Sequence, residues 1–176
     1  MSTKSHWDKI YNEKSPSELS WTQEVPVTSI KFFEKYNIDR SSPIIDIGGG
    51  ESRFVDYLIK NEYKNISVLD ISINAINRIK DRLGKDSDSV NWIVSDINDF
   101  NPKTQYSFWH VRAVFHFLIV KKEIKRYVKL VNEFSKNFVV GTFPISGPLN
   151  CSALNISQYD KDSLEQLLRD GQLPTT

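Results

Sequence analysis

Apolar residues fall into two alternating kinds of segment, short continuous runs and longer stretches in which they recur every three or four positions. Short runs predict buried strands, and the recurring pattern predicts helices that cover them. The five predicted strands span residues 43–47, 66–70, 90–94, 106–110 and 137–143. The clearest helical pattern lies at residues 121–135. Alternating strands and helices predict a doubly wound, mainly parallel α/β sheet with helices on both faces.

Two helices are predicted ahead of this sheet, within residues 1–40. Trp7, Ile10 and Tyr11 can share one face of the first helix, which ends before Pro16, and the second helix begins near Pro26. After the fifth strand, the pattern predicts a loop and a last helix at residues 160–171. A chain of 176 residues suits a single domain, so we expect one domain over residues 1–176.

Composition narrows the range of partners. Lys and Arg total 23 and Asp and Glu total 22, and this balance gives no general attraction to nucleic acid or to an anionic membrane. The single Cys151, a start without an apolar signal core and the lack of a membrane-length apolar run predict a cytoplasmic protein. Three histidines and one cysteine show no metal-ligand spacing, so we expect no metal.

The most informative motif follows the first predicted strand and reads Asp46-Ile47-Gly48-Gly49-Gly50. Glycines let the backbone approach a ligand with no Cβ in the way, and the next helix offers free N–H groups. Asp70 ends the second strand 20 residues after Gly50, the distance at which a strand-end carboxylate can reach ribose hydroxyls in Rossmann-like sheets. A glycine turn alone also fits an ordinary tight turn, but the two features together predict an adenosine-containing cofactor.

The spacing of the glycines distinguishes two classes of cofactor. The dinucleotide pattern G-x-G-x-x-G would need a third glycine where this chain has Arg53. The pattern Asp-x-Gly-x-Gly is the one found in S-adenosylmethionine sites. The carboxylate of Asp46 also suits an ammonium group better than a pyrophosphate, because two anions would repel each other. A nicotinamide-dependent oxidoreductase is therefore the disfavoured alternative.

Further polar candidates lie near the third and fourth strand ends. Asp96 can accept a hydrogen bond from an adenine amine, or it can be a turn residue. His110 is a candidate catalytic residue that contacts an acceptor substrate, or it can be a structural histidine near the sheet edge. Arg112 can bind a carboxylate or be solvated or ion-paired, and His116, in an apolar stretch, is expected to pack in the core.

Residues 46–50, 69–70 and 95–96 resemble the first three motifs of class I S-adenosylmethionine-dependent methyltransferases. The stretches H-W-D-K-I-Y with S-W-T-Q, and F-W-H-V-R-A-V-F-H-F-L at residues 108–118, are similar to a subgroup of small bacterial and mitochondrial-type members. That subgroup resembles the lysine methyltransferases acting on citrate synthase and elongation factors. The resemblance covers roughly residues 6–170. It implies methyl transfer from S-adenosylmethionine, by in-line displacement, to a small molecule or a protein lysine.

The resemblance also implies roles for individual residues. The implied cofactor-binding residues are Asp46, Gly48, Gly49, Gly50, Asp70, Ile71, Asp96, Ile97 and Trp21. The implied acceptor-facing residues are Trp7, Tyr11 and Arg112. Residues 1–40 would form a helical lid over a cofactor-binding sheet at residues 41–176.

Departures from the subgroup keep a second function open. The chain has Thr22 where the subgroup often has tyrosine, and Val111 where it often has aspartate. The full fold adds a closing strand pair in the order 3-2-1-4-5-7-6, and this chain is predicted to lack that pair. Its fifth strand would then be an exposed edge at which a dimer can form. The alternative is a cofactor-binding but inactive or truncated methyltransferase-like partner protein.

Overall fold

The computed structural model describes residues 3–170, which form a five-stranded parallel sheet with helices on both faces. The strands, numbered along the chain, are β1 Ile44–Ile47, β2 Ile66–Asp70, β3 Val90–Val94, β4 Phe108–Arg112 and β5 Phe138–Gly141. Their order across the sheet is β3-β2-β1-β4-β5. Strands are added on one side of β1 as far as β3 and then on its other side from β4, so the strand order reverses between β1 and β4. This is the doubly wound, Rossmann-like arrangement, and it confirms the predicted fold class.

Six helices surround the sheet: α1 Thr3–Glu13, α2 Val27–Glu34, α3 Phe54–Lys60, α4 Ile73–Leu83, α5 Lys121–Phe134 and α6 Lys161–Asp170. The helices α2, α3 and α4 cover one face and contribute to one apolar cluster with Ile44, Val68 and Phe108 of the sheet. The helices α5 and α6 cover the other face, where Trp109 and Val111 are buried. Neighbouring strand residues thus point to opposite apolar layers, as strand geometry requires.

The segment ahead of the sheet is helical, but its two helices have different positions. In α2, Phe33 is buried between Phe54 and Phe108, with ring centroids 5.5 Å and 4.8 Å away. This helix therefore belongs to the layer that covers the sheet. The helix α1 packs against the start of α4 instead, where Asn74 donates a hydrogen bond to the Asp8 carbonyl across 2.9 Å. Within the segment predicted as a lid, α2 therefore covers the sheet and α1 packs on α4.

The fourth strand begins and ends two residues later than predicted, at Phe108 and Arg112. Tyr106 makes only an isolated bridge to Ser135, because the chain enters the sheet beside the end of α5. The prediction that His110 ends this strand was therefore wrong. His110 lies in the middle of β4, next to Asp46 of β1 in the strand pairing.

The loop after β5 contains a small antiparallel hairpin that the sequence pattern did not predict, β6 Asn150–Cys151 and β7 Leu154–Asn155. Ser152 and Ala153 form its turn with φ values of 50° and 61°, the left-handed conformation that two-residue hairpins need. This hairpin is separate from the main sheet. Within residues 3–170, no strand extends the sheet beyond β5, as predicted, and no helix is long and apolar enough to cross a membrane.

Candidate functional site

A cavity of about 710 Å³ opens at the carboxyl ends of the strands, beside the point where the strand order reverses. Its volume lies within the range of about 300–1,000 Å³ that small-molecule sites occupy. The predicted site residues that line it are Trp7, Tyr11, Trp21, Asp46, Gly48, Asp70, Ile71, Asp96, Ile97, His110 and Arg112. Gly49 and Gly50 do not line the cavity, although they belong to the turn that shapes it.

The glycine turn is held tightly against the neighbouring strand. The N–H groups of Gly48 and Gly49 both donate to the Leu69 carbonyl, across 2.7 Å and 3.1 Å. Gly48 has a φ of 64°, and a Cβ there would overlap the side chain of Val114. A Cβ at Gly49 would overlap Val68 instead. The protein's own packing therefore excludes larger residues from this turn, in addition to any ligand.

The third glycine joins the turn to the strand-end carboxylate that the sequence singled out. Gly50 N–H donates to Oδ2 of Asp70 across 2.9 Å, and Ser72 N–H donates to Oδ1 across 2.8 Å. Burial raises the pKa of Asp70 to about 6, and the nearby carboxylates of Asp46 and Asp8 add to this rise. Each carboxylate oxygen can accept a second hydrogen bond. Asp70 is thus oriented by backbone and still able to bind a pair of hydroxyls.

Asp46 is fixed by a buried chain of polar side chains. His110 donates from Nδ1 to Oδ1 of Asp46 across 2.7 Å, and its Nε2 lies 2.9 Å from the hydroxyl oxygen of Ser29 on α2. A carboxylate only accepts hydrogen bonds, so Nδ1 carries the proton. Oδ2 of Asp46 is buried without a hydrogen-bond partner among the described residues. This is the kind of atom that an ammonium group of a ligand would satisfy.

Because both ring nitrogens of His110 are engaged, the ring orients Asp46. Of the two readings that the sequence left open for His110, the contacts favour the structural histidine.

The helix α1 is hydrogen-bonded to the start of α4 beside the cavity. Ser72, which caps the N-terminus of α4, donates from its hydroxyl to Oδ1 of Asp8 across 2.6 Å. Tyr11 is buried, and its hydroxyl is the group that a Cβ on Gly50 would strike. Burial and the charge of Asp70 raise the pKa of Tyr11, so the phenol stays protonated. Tyr11 therefore lies nearer to the glycine turn than the acceptor-facing role implied for it.

Aromatic rings of the N-terminal segment close the other part of the cavity. Trp7 lies edge-on to Trp21, with centroids 5.8 Å apart, and to Phe117 at 5.1 Å. Arg112 donates to the Trp21 carbonyl across 3.0 Å, so it ties this segment to the end of β4. Arg112 makes no salt bridge among the described residues, which leaves its other N–H groups able to meet a ligand.

Asp96 and Ile97 lie in the turn after β3, and they line the cavity together with Asp70 at the end of β2 and Ile71, which follows it. Oδ1 of Asp96 accepts from the Asn98 N–H across 2.8 Å, which is the turn role that the sequence left open. This hydrogen bond does not exclude the adenine role, because carboxylate oxygens have further acceptor capacity.

Sequence reasoning missed two polar residues of the site. Glu51 is buried beside the turn and pairs with Arg78 and Arg82, both at 3.5 Å. His116 was expected to pack in the core. It is buried as expected, yet it lines the cavity. No spacing rule marks His116, which follows a left-handed residue, Ala113, where φ is 60°.

The described residues fit S-adenosylmethionine. The unpartnered Oδ2 of Asp46 matches an ammonium group, the carboxylate of Asp70 matches two ribose hydroxyls, and Ile71 and Ile97 offer apolar surfaces to a flat base. The cavity also extends past these residues toward Trp7 and Phe117, so it has room for a second molecule.

Comparison with known proteins agrees with this geometry. The family described as "Methyltransferase domain" matches residues 44–137. Mouse EEF1A lysine methyltransferase 2 is 28% identical over 120 residues, which are 63% of this chain and 48% of that protein. Malonyl-[acyl-carrier protein] O-methyltransferase 2 of Ilyobacter polytropus is 34% identical over 80 residues, 45% of this chain and 30% of that protein. The chain thus spans about half or less of these two relatives.

Solved structures share the fold. The Burkholderia thailandensis 1,6-didemethyltoxoflavin-N1-methyltransferase, solved with 1,6-didemethyltoxoflavin and S-adenosylhomocysteine, superposes with a TM-score of 0.73. It is 15% identical, and the match covers 94% of this chain and 74% of that one. The glycopeptide N-methyltransferase MtfA with S-adenosylhomocysteine gives a TM-score of 0.59 at 10% identity, with 78% and 60% covered.

Proposed function

This chain belongs to the class I S-adenosylmethionine-dependent methyltransferases, and on that premise we propose that it transfers a methyl group from S-adenosylmethionine to an acceptor held beside Trp7 and Phe117. One observation carries the proposal. Two oriented carboxylates, Asp46 and Asp70, face the same cavity at the strand ends, and Asp46 keeps a buried oxygen without a partner. An adenosine with an attached amino acid provides the matching ammonium and hydroxyl groups.

The cofactor, when bound, supplies a methyl group already attached to a good leaving group, the sulfonium sulfur. The chain's own residues then have two tasks, alignment and exclusion of water. Asp46, held by His110, would fix the amino-acid end, and Asp70 would fix the ribose. The rings of Trp7 and Trp21 would cover the cavity, because α1 is hydrogen-bonded to Ser72 through Asp8.

The acceptor belongs to one of two classes, a small molecule or a protein lysine. The similar mouse protein is named for lysine methylation of EEF1A, whereas the similar Ilyobacter protein is named for O-methylation of malonyl-acyl carrier protein. We propose no nucleic-acid acceptor, since the net charge of +1 gives no general attraction to phosphates. A cytoplasmic location is part of the same proposal.

The direct test is methyl transfer from S-[methyl-³H]adenosylmethionine into a dialysed cell extract and, separately, into its small-molecule fraction. The proposal predicts radioactivity in one fraction with the wild-type chain and little with Asp70→Asn. The matched control is Asp88→Asn, which changes an exposed aspartate that does not line the cavity. Equal labelling by all three proteins, or by none of them, would count against the proposal.

The edge of the sheet favours a second candidate, a cofactor-binding partner protein without activity of its own. Within the described residues, β5 pairs only with β4, so its other edge is open. An open edge can pair with a second copy of this chain or with a related subunit. Light scattering tests this reading. A dimer that becomes monomeric on Val140→Pro supports edge pairing, because the N–H of Val140 points to the open edge while those of its neighbours pair with β4, and an active monomer argues against it.

A further inference from the structure

His116 is a buried polar residue whose ring nitrogens make no hydrogen bond within the part of the chain that the structure describes. Its side chain is 1% exposed. It nevertheless lines the large cavity. Buried polar groups are nearly always hydrogen-bonded, so an unpaired imidazole at a cavity wall indicates that its partner comes from the cavity.

The surroundings of His116 are aromatic and contain a second unpaired group. Phe117 and Phe143 pack against the imidazole, with centroids 4.3 Å and 4.8 Å away. Thr142, next to Phe143 in the chain, also lines the cavity and has a buried hydroxyl oxygen without a hydrogen-bond partner. Trp7 touches Phe117 from the lid. These residues form an acceptor chamber, defined as Trp7, His116, Phe117, Thr142 and Phe143.

Charged groups are few near the imidazole. Burial alone lowers the pKa of His116 to about 4, so the ring is neutral at pH 7 and keeps one N–H and one lone pair. Arg112 of β4 and Glu123 of α5 also line the cavity, but both are partly exposed and therefore lie nearer to solvent than the imidazole does. Among the described residues, the deepest polar group of the chamber is uncharged.

We propose that His116 is the catalytic residue that binds the methyl acceptor, and that the acceptor is a flat aromatic or heteroaromatic small molecule with an N–H or O–H group. The inference rests on the proposed methyl transfer and names the acceptor class for the same site. The aromatic walls suit a flat molecule, His116 accepts the hydrogen bond from its N–H or O–H, and Thr142 provides a second polar contact.

The chemical step is balanced with the neutral histidine as base. The acceptor's nitrogen or oxygen lone pair forms the new bond to the methyl carbon while the carbon–sulfur bond breaks, and both electrons of that bond remain on sulfur as a neutral thioether. The acceptor's proton becomes strongly acidic as the new bond forms, and it moves to the free nitrogen of His116. His116 then passes the proton to water.

A lysine acceptor fits this chamber less well. Its ammonium group has no lone pair until it loses a proton, and a neutral imidazole of low basicity is a poor base for that step. The ammonium would also have to leave water for a place whose nearest polar groups are an imidazole and a hydroxyl.

The test uses nuclear magnetic resonance of the whole chain labelled with ¹⁵N-histidine. The chain has only His6, His110 and His116, so the His116→Asn variant assigns the signal. The protein is first saturated with S-adenosylhomocysteine and then titrated with indole or phenol, which carry an N–H or O–H donor. The matched control probes, 1-methylindole and anisole, carry a methyl group in place of that hydrogen. We expect the donors to shift the unprotonated nitrogen of His116 and to bind about tenfold tighter than the matched probes.

Variants separate a contact from a structural role. His116→Phe should abolish the preference for the donor probes while S-adenosylhomocysteine still binds, and Thr142→Val should weaken the preference. His6→Asn removes a histidine that does not line the cavity and should keep the preference. The wild-type spectrum decides the matter even if His116→Phe does not fold.

Three results would overturn the inference. In the first, S-adenosylhomocysteine binds but no donor shifts the His116 signal, which makes His116 a structural residue. In the second, Nα-acetyl-lysine methylamide shifts that signal and binds more tightly than indole and phenol, which makes lysine the acceptor. In the third, S-adenosylhomocysteine does not bind at all, and the proposed function fails together with the inference.

Discussion

His110 lies 2.7 Å from Asp46 because the two residues are register partners on neighbouring parallel strands and point to the same face of the sheet. On that face, α2 brings Ser29 to the other ring nitrogen. The three side chains form a polar chain inside an otherwise apolar layer. Oδ2 of Asp46, a residue that lines the cavity, is buried without a hydrogen-bond partner among the described residues. Packing between β1, β4 and α2 therefore sets the orientation of the Asp46 carboxylate.

Replacing His110, which donates a hydrogen bond to Asp46, should lower both the stability of the protein and its affinity for S-adenosylhomocysteine. In His110→Phe, Oδ1 of Asp46 loses its hydrogen-bond donor, so we expect the free energy of unfolding to fall by about 2–3 kcal/mol. S-adenosylhomocysteine should bind about tenfold more weakly, which corresponds to 1.4 kcal/mol. Urea unfolding and calorimetry measure the two effects. Ser29→Ala is the control, since it removes one neutral hydrogen bond and should cost only about 1 kcal/mol.

The glycine turn gives a prediction about packing that needs no ligand. A Cβ at Gly49 would strike the side chain of Val68, so Gly49→Ala should destabilise the protein by about 1–3 kcal/mol. Val68→Ala alone should also destabilise, by leaving a void. In the double variant, the Cβ at residue 49 occupies space left by the shortened residue 68. We therefore expect the double variant to be about 1 kcal/mol more stable than the sum of the two single losses predicts. Additive losses in urea unfolding would show that the turn moves aside.

The lid should loosen when its anchor on α4 is removed. Asp8→Ala deletes the acceptor of the Ser72 hydroxyl, and hydrogen exchange of residues 3–13 should become about tenfold faster. Lys4→Ala removes only the exposed ion pair between Lys4 and Asp8, which is worth about 0–1 kcal/mol. That control should exchange at nearly the wild-type rate. Equal acceleration in both variants would show that the ion pair, and not the contact with Ser72, holds α1.

Asp70 should make stability depend on pH in a window near its shifted pKa. The pKa of Asp70 in the folded protein, about 6, exceeds the ordinary aspartate pKa of 3.8, so the folded protein holds this proton more tightly than the unfolded chain. The resulting stabilisation is present below pH 4 and is lost as the pH rises to about 6, by an amount of order 3 kcal/mol. Asp70→Asn should lack this component of the pH dependence. Parallel stability profiles of the two proteins between pH 4 and 7 would contradict the assignment.

The same proton should affect ligand binding with the opposite sign. Ribose hydroxyls donate to the ionised carboxylate, so S-adenosylhomocysteine should bind the ionised form of Asp70. With a pKa of about 6, about one molecule in ten is ionised at pH 5, and affinity should fall about tenfold from pH 7 to pH 5. Titration calorimetry across that range measures the change, and Asp70→Asn should show a smaller one.

The sequence predicted the five strands and the glycine turn because both depend on local patterns, whereas the strand order came from the resemblance to the methyltransferases. An apolar run followed by Gly48 determines a strand and a turn, and the separation of Asp70 from Gly50 reflects one strand–helix–strand unit. The hydrogen bond between these two residues follows from that spacing. Ser72 was likewise predictable as a helix cap, and it accepts from Ala75 N–H across 3.3 Å.

The pattern did not predict features that depend on how distant segments pack. The limits of β4 shift because Tyr106 pairs with Ser135 at the end of α5. His116 follows a left-handed residue at Ala113, a conformation that a sequence with alanine there does not suggest. The contact between His110 and Ser29 joins residues 81 positions apart, which no motif spacing describes.

One measurement tests the central claim most directly, namely that Asp46 and Asp70 hold S-adenosylmethionine. It is calorimetric titration of the 176-residue chain with S-adenosylhomocysteine, repeated with Asp46→Asn, Asp70→Asn and the exposed control Asp88→Asn. We predict a dissociation constant of about 1 μM for the wild type and the control, weakened at least about tenfold in the two site variants. Binding that is absent from the folded wild type, or equal in all four proteins, would contradict the claim.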